Sequence, residues 1–135
     1  MSNGRVEARI GRLEHRRSQL RALLVTNDKG VGGLLARILE RRGALHVQTA
    51  SPGTAVEEAG HDCVDVILLD LSPGVTFDPA LSARLAERAP VIVLCSYLTS
   101  EERAIARGAG VAAIHLKHIG VDDLRLHINI VCNQP

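Results

Sequence analysis

Aromatic residues are almost missing from this chain of 135 residues, which has one Phe, one Tyr and no Trp. A hydrophobic core built from it must therefore be aliphatic. The stacking of bases on aromatic rings, a common mode of single-strand binding, is largely excluded. Hydrophobic residues nevertheless make up 46% of the chain, so its length and composition predict one globular domain with a real core.

Other absences narrow the class of protein further. The net charge is only +1, which favours neither nucleic acid nor a membrane surface as a partner. No apolar run approaches the roughly 20 residues of a membrane span, and the N-terminus lacks the apolar segment of a signal peptide. The cysteines, Cys63, Cys95 and Cys132, are odd in number and show no C-x-x-C spacing. We therefore expect a reduced, cytoplasmic protein without a disulfide framework or a zinc site.

The first 20 residues differ from the rest of the chain. Several arginines surround apolar residues at helical spacing, namely Val6, Ile10, Leu13 and Leu20. This pattern predicts a basic, partly helical extension over 1–20, ahead of a domain over 21–135. A loosely docked helix is one interpretation; a helix for dimerisation, partner docking or an anionic surface is the alternative.

From Arg21 onwards, short apolar runs alternate with segments of helical periodicity. The apolar runs predict strands over 22–25, 45–50, 64–70, 91–94 and 111–116. The first intervening helix carries its apolar residues on one predicted face and ends before Gly43; these residues are Val31, Leu34, Leu35, Ile38 and Leu39.

Helix-start signals mark the other helices. Ser51-Pro52 and Asp78-Pro79 each combine a capping residue with a proline at the first helical position, predicting helices to Gly60 and Ala89. Thr99 and Glu102 form a capping box for a fourth helix ending near Gly108. Asp122 or Asp123 begins a last helix with an apolar face made of Leu124, Ile128 and Val131.

This β-α order, repeated five times, predicts the fold class. Continuous apolar strands that alternate with helices indicate a parallel sheet covered on both faces. Right-handed crossovers then give a doubly wound α/β fold, and the strand order 2-1-3-4-5 is the best match at this length.

Polar residues gather where the strands of such a sheet end. The strand 64–70 ends at Asp70 and is followed by Leu71-Ser72-Pro73-Gly74. Because the carboxyl ends of parallel strands share one edge, other polar residues should lie beside Asp70. Carboxylates, small polar groups and an ammonium suit a hard cation beside a phosphoryl group; the candidates are Thr26, Asn27, Asp28, Cys95, Ser96 and Lys117.

These motifs resemble the receiver domain of two-component response regulators. The matching features are the Leu-Leu-Asp-Leu-x-Pro-Gly segment around Asp70, the following Val-Ile-Val-Leu strand with a small residue at its end, and Lys117 after the fifth strand. The resemblance covers residues 21–131.

The resemblance implies a role for each site residue. Asp70 would accept a phosphoryl group from a histidine kinase or phosphotransfer protein, and Lys117 would contact the phosphoryl oxygens. The Thr/Ser position that follows the phosphate is occupied by Cys95, with Ser96 as a substitute. Mg²⁺ would be held by Asp70, the Ser72 carbonyl and an acidic pair after the first strand.

This chain departs from the family pattern at several of these positions. A gapless match to the following helix places Thr26-Asn27 on the acidic pair, and a shift of one residue places Asn27-Asp28 there. In both cases one carboxylate at least is missing. Ile114 replaces an aromatic residue, and His118 replaces the proline after the lysine.

Two functions follow as alternatives. The first is a stand-alone bacterial receiver, not an enzyme, with Asp70 as phosphoacceptor and a downstream partner on the face formed by the fourth helix, fifth strand and fifth helix. The second is a pseudo-receiver that binds proteins without phosphorylation. The glycines near Gly30 and the scattered histidines also suggest nucleotide or metal sites, but neither set has the spacing that such sites need.

Overall fold

A computed structural model of the chain describes residues 19–41, 43, 45–61, 63–72 and 75–133. The predicted helical extension therefore lies outside the described residues up to position 18. Leu20, which we had placed at the end of the extension, begins the first strand.

The described chain folds as five parallel strands joined by helices, as the alternation predicts. The strands are β1 (Leu20–Val25), β2 (Leu45–Ala50), β3 (Val66–Asp70), β4 (Val91–Cys95) and β5 (Val111–Leu116). The helices are α1 (Lys29–Arg41), α2 (Ala55–His61), α3 (Pro79–Ala86), α4 (Ser100–Gly108) and α5 (Val121–Cys132). A short 3₁₀ helix, Lys117–Ile119, connects β5 to α5.

The sheet has the order β2-β1-β3-β4-β5, so the predicted 2-1-3-4-5 topology is confirmed. All four strand pairings are parallel. β3 is buried along its whole length. The carboxyl ends of β1, β3, β4 and β5 therefore converge at one edge, where the candidate site lies.

Side chains of β3 alternate between two layers of the core. Ile67 and Leu69 pack on the side that carries α2, α3 and α4, whereas Val66 and Leu68 pack on the side that carries α1 and α5. The buried residues of both layers are almost all aliphatic, with Phe77 and Cys95 as the exceptions in the first. The aliphatic core expected from the composition is thus confirmed for the described residues.

Two helix-start predictions are confirmed in detail. The Asp78 carboxylate accepts a hydrogen bond from Leu81 N at 3.2 Å, with Pro79 at the first position of α3. Thr99 and Glu102 form the reciprocal capping box of α4, with bonds of 3.0 and 3.1 Å.

The predicted starts of α2 and α5 were wrong. Residues 52–54 form a turn closed by Thr54 N on Ser51 O at 3.1 Å, so α2 begins at Ala55 rather than after Ser51. α5 begins at Val121, and its N-cap is Gly120 with a φ of 106° rather than an aspartate. Gly120 can take this position because glycine has no Cβ to clash at positive φ.

Helix α1 buries only part of its predicted apolar face: Leu39 is buried and Leu35 packs against the core. Its buried residues are Gly32, Ala36 and Leu39, whereas Val31 and Leu34 remain 53% and 54% exposed. Gly32 and Ala36 allow the first half of the helix to approach the sheet closely, and Val31 and Leu34 turn outward there.

Candidate functional site

Asp70 lies at the end of β3 and is only 5% exposed. Its two carboxylate oxygens have different partners. The Lys117 ammonium lies 2.5 Å from Oδ1, and the Thr26 hydroxyl donates a hydrogen bond of 2.9 Å to Oδ2. A buried carboxylate is stable only when its charge is compensated in this way.

Lys117 holds two elements together at the sheet edge. Besides Asp70, its ammonium donates to the Leu71 carbonyl at 3.2 Å, directly after β3. The 3₁₀ helix that begins at Lys117 brings the side chain to this position, because it follows β5 without a gap. The sequence-based prediction that Asp70 and Lys117 share one edge therefore agrees with the geometry.

Thr26 is the residue of this site whose role the sequence did not reveal. It is 3% exposed, and its Oγ1 accepts a bond of 3.1 Å from Asp28 N while donating to Asp70. Its methyl group occupies the space above α1, where a Cβ on Gly32 would lie 2.4 Å from Thr26 Cγ2. Gly32 is therefore the signal in the sequence that marks close contact with the end of β1.

Two of the residues predicted as metal ligands, Asp28 and Ser72, have hydrogen-bond partners within the chain. The Asp28 carboxylate is exposed and caps α1, accepting a bond of 3.1 Å from Val31 N. The Ser72 carbonyl accepts a bond of 3.0 Å from Val75 N. Asn27 shares a cavity of about 190 Å³ with Asp70 and Asp78, whose carboxylate caps α3.

This donor set does not fit Mg²⁺. The ion needs oxygen ligands in near-octahedral geometry, usually with carboxylates among them. Asp70 supplies one carboxylate, already bound to Lys117 and Thr26. In the described part of the chain no group of three His, Cys, Asp or Glu residues is placed to hold a metal.

Cys95 and Ser96 lie at the end of β4 but line a neighbouring cavity rather than that of Asn27 and Asp78. This cavity has a volume of about 380 Å³ and also contains Ser72. Burial raises the pKa of the Cys95 thiol, although Arg103 and Lys117 oppose the shift. Cys95 is thus a protonated, buried side chain and a weak hydrogen-bond donor.

A second polar cluster lies behind Lys117, between β5 and α5. His115 is 3% exposed, and its Nδ1 lies 3.3 Å from Nδ1 of His127 with the rings perpendicular. Burial, followed by the charge of His127, lowers the pKa of His115. One imidazole of the pair must be neutral to accept a hydrogen bond from the other.

No protein-family model and no curated protein matches this sequence. Solved structures do match it. A response regulator from Thermotoga maritima is similar at a TM-score of 0.73 and 18% identity, over 86% of this chain and 99% of that one. The BeF₃-activated receiver domain of RstA from Klebsiella pneumoniae is similar at a TM-score of 0.73 and 20% identity, over 84% of this chain and 99% of that one.

A third match is to a response regulator with a phosphorylated aspartic acid. A response regulator protein from Burkholderia pseudomallei, with a phosphorylated aspartic acid, a calcium ion and citrate, is similar at a TM-score of 0.68 and 24% identity. The match covers 87% of this chain and 76% of that one. The chain therefore has the CheY-like fold of response-regulator receiver domains. In the described part, no helix has both the length and the apolar character of a membrane span.

Proposed function

We propose that this chain is a non-enzymatic signalling module of the two-component type that binds a protein partner without phosphorylation of Asp70. One observation carries the proposal: both oxygens of the Asp70 carboxylate are bound by groups of the chain itself, Lys117 and Thr26. Phosphoryl transfer to a carboxylate needs a divalent metal cation, such as Mg²⁺, to neutralise the incoming phosphate. The donor set around Asp70 does not fit that cation.

The partner surface in this proposal is the face formed by α4, β5 and α5. Three large apolar side chains stand exposed on its helices, with Ile105 on α4 and Leu126 and Ile130 on α5. Leu126 and Ile130 are four residues apart, so they lie on the same side of the helix. A histidine kinase, a phosphotransfer protein or a downstream protein is the partner class that the fold suggests.

The second candidate function is the phosphorylated receiver, with Asp70 as phosphoacceptor. It is favoured by the contact between Asp70 and Lys117, since an ammonium beside the acceptor would also neutralise a phosphoryl group. In this case Thr26 must release Oδ2 when the metal and the phosphate enter.

A small phosphodonor distinguishes the two functions. The full chain is incubated with millimolar Mg²⁺ and acetyl phosphate or beryllium fluoride, then examined by intact mass and by ¹⁵N NMR. We expect no phosphoryl adduct and no shifts around Asp70. An adduct that Asp70→Asn abolishes and the matched Asp78→Asn retains would establish the phosphoacceptor instead.

A double variant serves as the positive arm of the same experiment. Thr26→Asp with Asn27→Asp replaces the hydroxyl on Asp70 by carboxylates at the end of β1. We expect this variant to acquire Mg²⁺-dependent changes in the NMR spectrum. If it behaves like the wild type, the identities of Thr26 and Asn27 are not what prevents metal binding.

A further inference from the structure

An apolar cavity of about 210 Å³ lies between α1 and α5. Val31, Leu34 and Ile38 of α1 form one wall, and Val121 and Leu124 of α5 form the other. Val31 and Leu34 are more than half exposed at this cavity. Apolar side chains at an open apolar cavity gain free energy when a ligand removes them from water.

The floor of this α1–α5 cavity is polar, and its charges compensate each other. Asp70 and Lys117 form an ion pair there, and His115 is the third polar residue of the floor. Of the three N–H donors of the ammonium, the contacts with Asp70 and the Leu71 carbonyl use two. Burial lowers the pKa of His115, so its imidazole is uncharged at neutral pH.

We infer that the α1–α5 cavity binds a small neutral amphiphile, with an aliphatic or aromatic body and one hydroxyl, amide or carbonyl head group. The walls fit the apolar body and the floor offers hydrogen bonds to the head. A charged head is disfavoured because an anion would meet the Asp70 carboxylate and a cation the Lys117 ammonium. A cavity of about 150 Å³ lined by apolar side chains holds benzene, so this one suits about seven or eight non-hydrogen atoms.

This inference is independent of the proposed function, because it requires neither phosphorylation nor a protein partner. It uses the same ion pair, however, so a ligand on the cavity floor would contact Asp70 and Lys117.

The test compares three ligands with the same six-carbon chain and different heads: 1-hexanol, hexanoate and hexylammonium. Each is titrated into the ¹⁵N-labelled full chain at neutral pH and followed by NMR. We expect saturable shifts with 1-hexanol at the amides of α1 and the start of α5, with a Kd on the order of 1 mM. Both charged ligands should bind at least about tenfold more weakly.

Two variants of matched exposure locate the site. Leu34, on the cavity, is 54% exposed, and Leu126, on the outer face of α5, is 55% exposed. Leu34→Gln should weaken 1-hexanol binding about tenfold, whereas Leu126→Gln should change it less than about twofold. The inference fails if 1-hexanol gives no saturable shifts, if a charged ligand binds as tightly, or if the two variants weaken binding equally.

Discussion

The group at the end of β1 that contacts Asp70 is the hydroxyl of Thr26. Its hydroxyl takes one oxygen of the carboxylate, and the same oxygen atom of Thr26 accepts the backbone N–H of Asp28. This short network joins the end of β1 to the end of β3 and to the start of α1. A satisfied network of this kind stabilises one arrangement of a buried charge.

Removal of this hydroxyl should therefore cost stability. Thr26→Val keeps the shape of the side chain but removes the donor to Asp70 Oδ2. Because the acceptor is a buried carboxylate, we expect the free energy of unfolding to fall by about 2 kcal/mol. Urea denaturation measures it, with Thr49→Val as the control, since Thr49 is exposed on β2. An unchanged free energy of unfolding for Thr26→Val would show that the hydrogen bond between Thr26 and Asp70 does not stabilise the fold.

The sequence predicts which residues lie at the site because it predicts where the apolar strands end. Asp70 and Lys117 follow apolar strands, so the shared edge of a parallel sheet brings them together. The direction in which each side chain points was not predictable. Asp28 turns to the N-terminus of α1 because the first N–H groups of a helix have no partner within the helix, and its carboxylate accepts one of them from Val31.

At the scale of an element, α1 shows why a hydrophobic pattern does not fix a helix face. Periodicity counts Val31 and Leu34 as apolar and Gly32 as neutral, so it directs the larger residues inward. Packing against the end of β1 requires the smallest residue instead, since a Cβ at Gly32 would overlap Thr26. Steric fit therefore overrides the hydrophobic stripe.

This fit gives a prediction about two neighbouring glycines. A Cβ at position 32 would lie 2.4 Å from Thr26 Cγ2, whereas nothing lies within 4 Å of one at position 33. Gly32→Ala should destabilise the protein by about 1–3 kcal/mol. Gly33→Ala should stabilise it by about 0.5–1 kcal/mol through helix propensity.

A double-mutant cycle in urea denaturation checks the cause. Thr26→Ser removes Cγ2 and keeps the hydroxyl, so it should reduce the cost of Gly32→Ala by at least about 1 kcal/mol. Strict additivity of the two substitutions would contradict the steric explanation.

The contact between β5 and α5 should make stability depend on pH. The pKa of His115 is lowered in the folded protein, first by burial and then by His127. The Gly120 backbone and Asp123 oppose the shift, and His118 adds to it. The unfolded chain then binds the proton more readily, below a pKa of about 6.5. The contribution is complete above that value and is lost as the pH falls towards the lower folded-state pKa.

Urea denaturation at pH 7.5 and at pH 5 measures this dependence. We expect His115→Gln to reduce the difference in unfolding free energy between the two pH values. His61→Gln is the control, because His61 is exposed at the end of α2 and its only ion pair in the described chain is with the equally exposed Glu57, so this variant should change the difference much less. A wild-type slope that survives in His115→Gln would assign the dependence to other groups.

At the scale of the whole molecule, the alternation of apolar runs and helical periods was sufficient for the topology. Chirality and strand pairing leave few arrangements for five such units, and the observed order is one of them. Helix starts were less predictable. The signal of a capping residue followed by proline correctly marked the start of α3 at Asp78. It failed at Ser51, because the segment from Ser51 to Thr54 forms a turn before α2.

The two layers of the core should unfold together because β3 belongs to both. Ile67 is buried among α2, α3 and α4, and the next residue, Leu68, is buried on the side of α1 and α5. Ile67→Ala and Leu68→Ala should each lower the free energy of unfolding by about 2–5 kcal/mol. Ile130→Ala, on an exposed position of α5, should change it by less than about 0.5 kcal/mol.

Amide hydrogen exchange distinguishes one cooperative unit from two. If the layers form a single unit, the slowest exchanging amides of α3 and of α5 are accelerated equally within each β3 variant. The equality is expected because every helix packs against a strand hydrogen-bonded to β3 or to its neighbours. Acceleration confined to α3 in Ile67→Ala and to α5 in Leu68→Ala would show instead that each layer opens by itself, and Asp70 would then lie on the boundary between two independently opening halves.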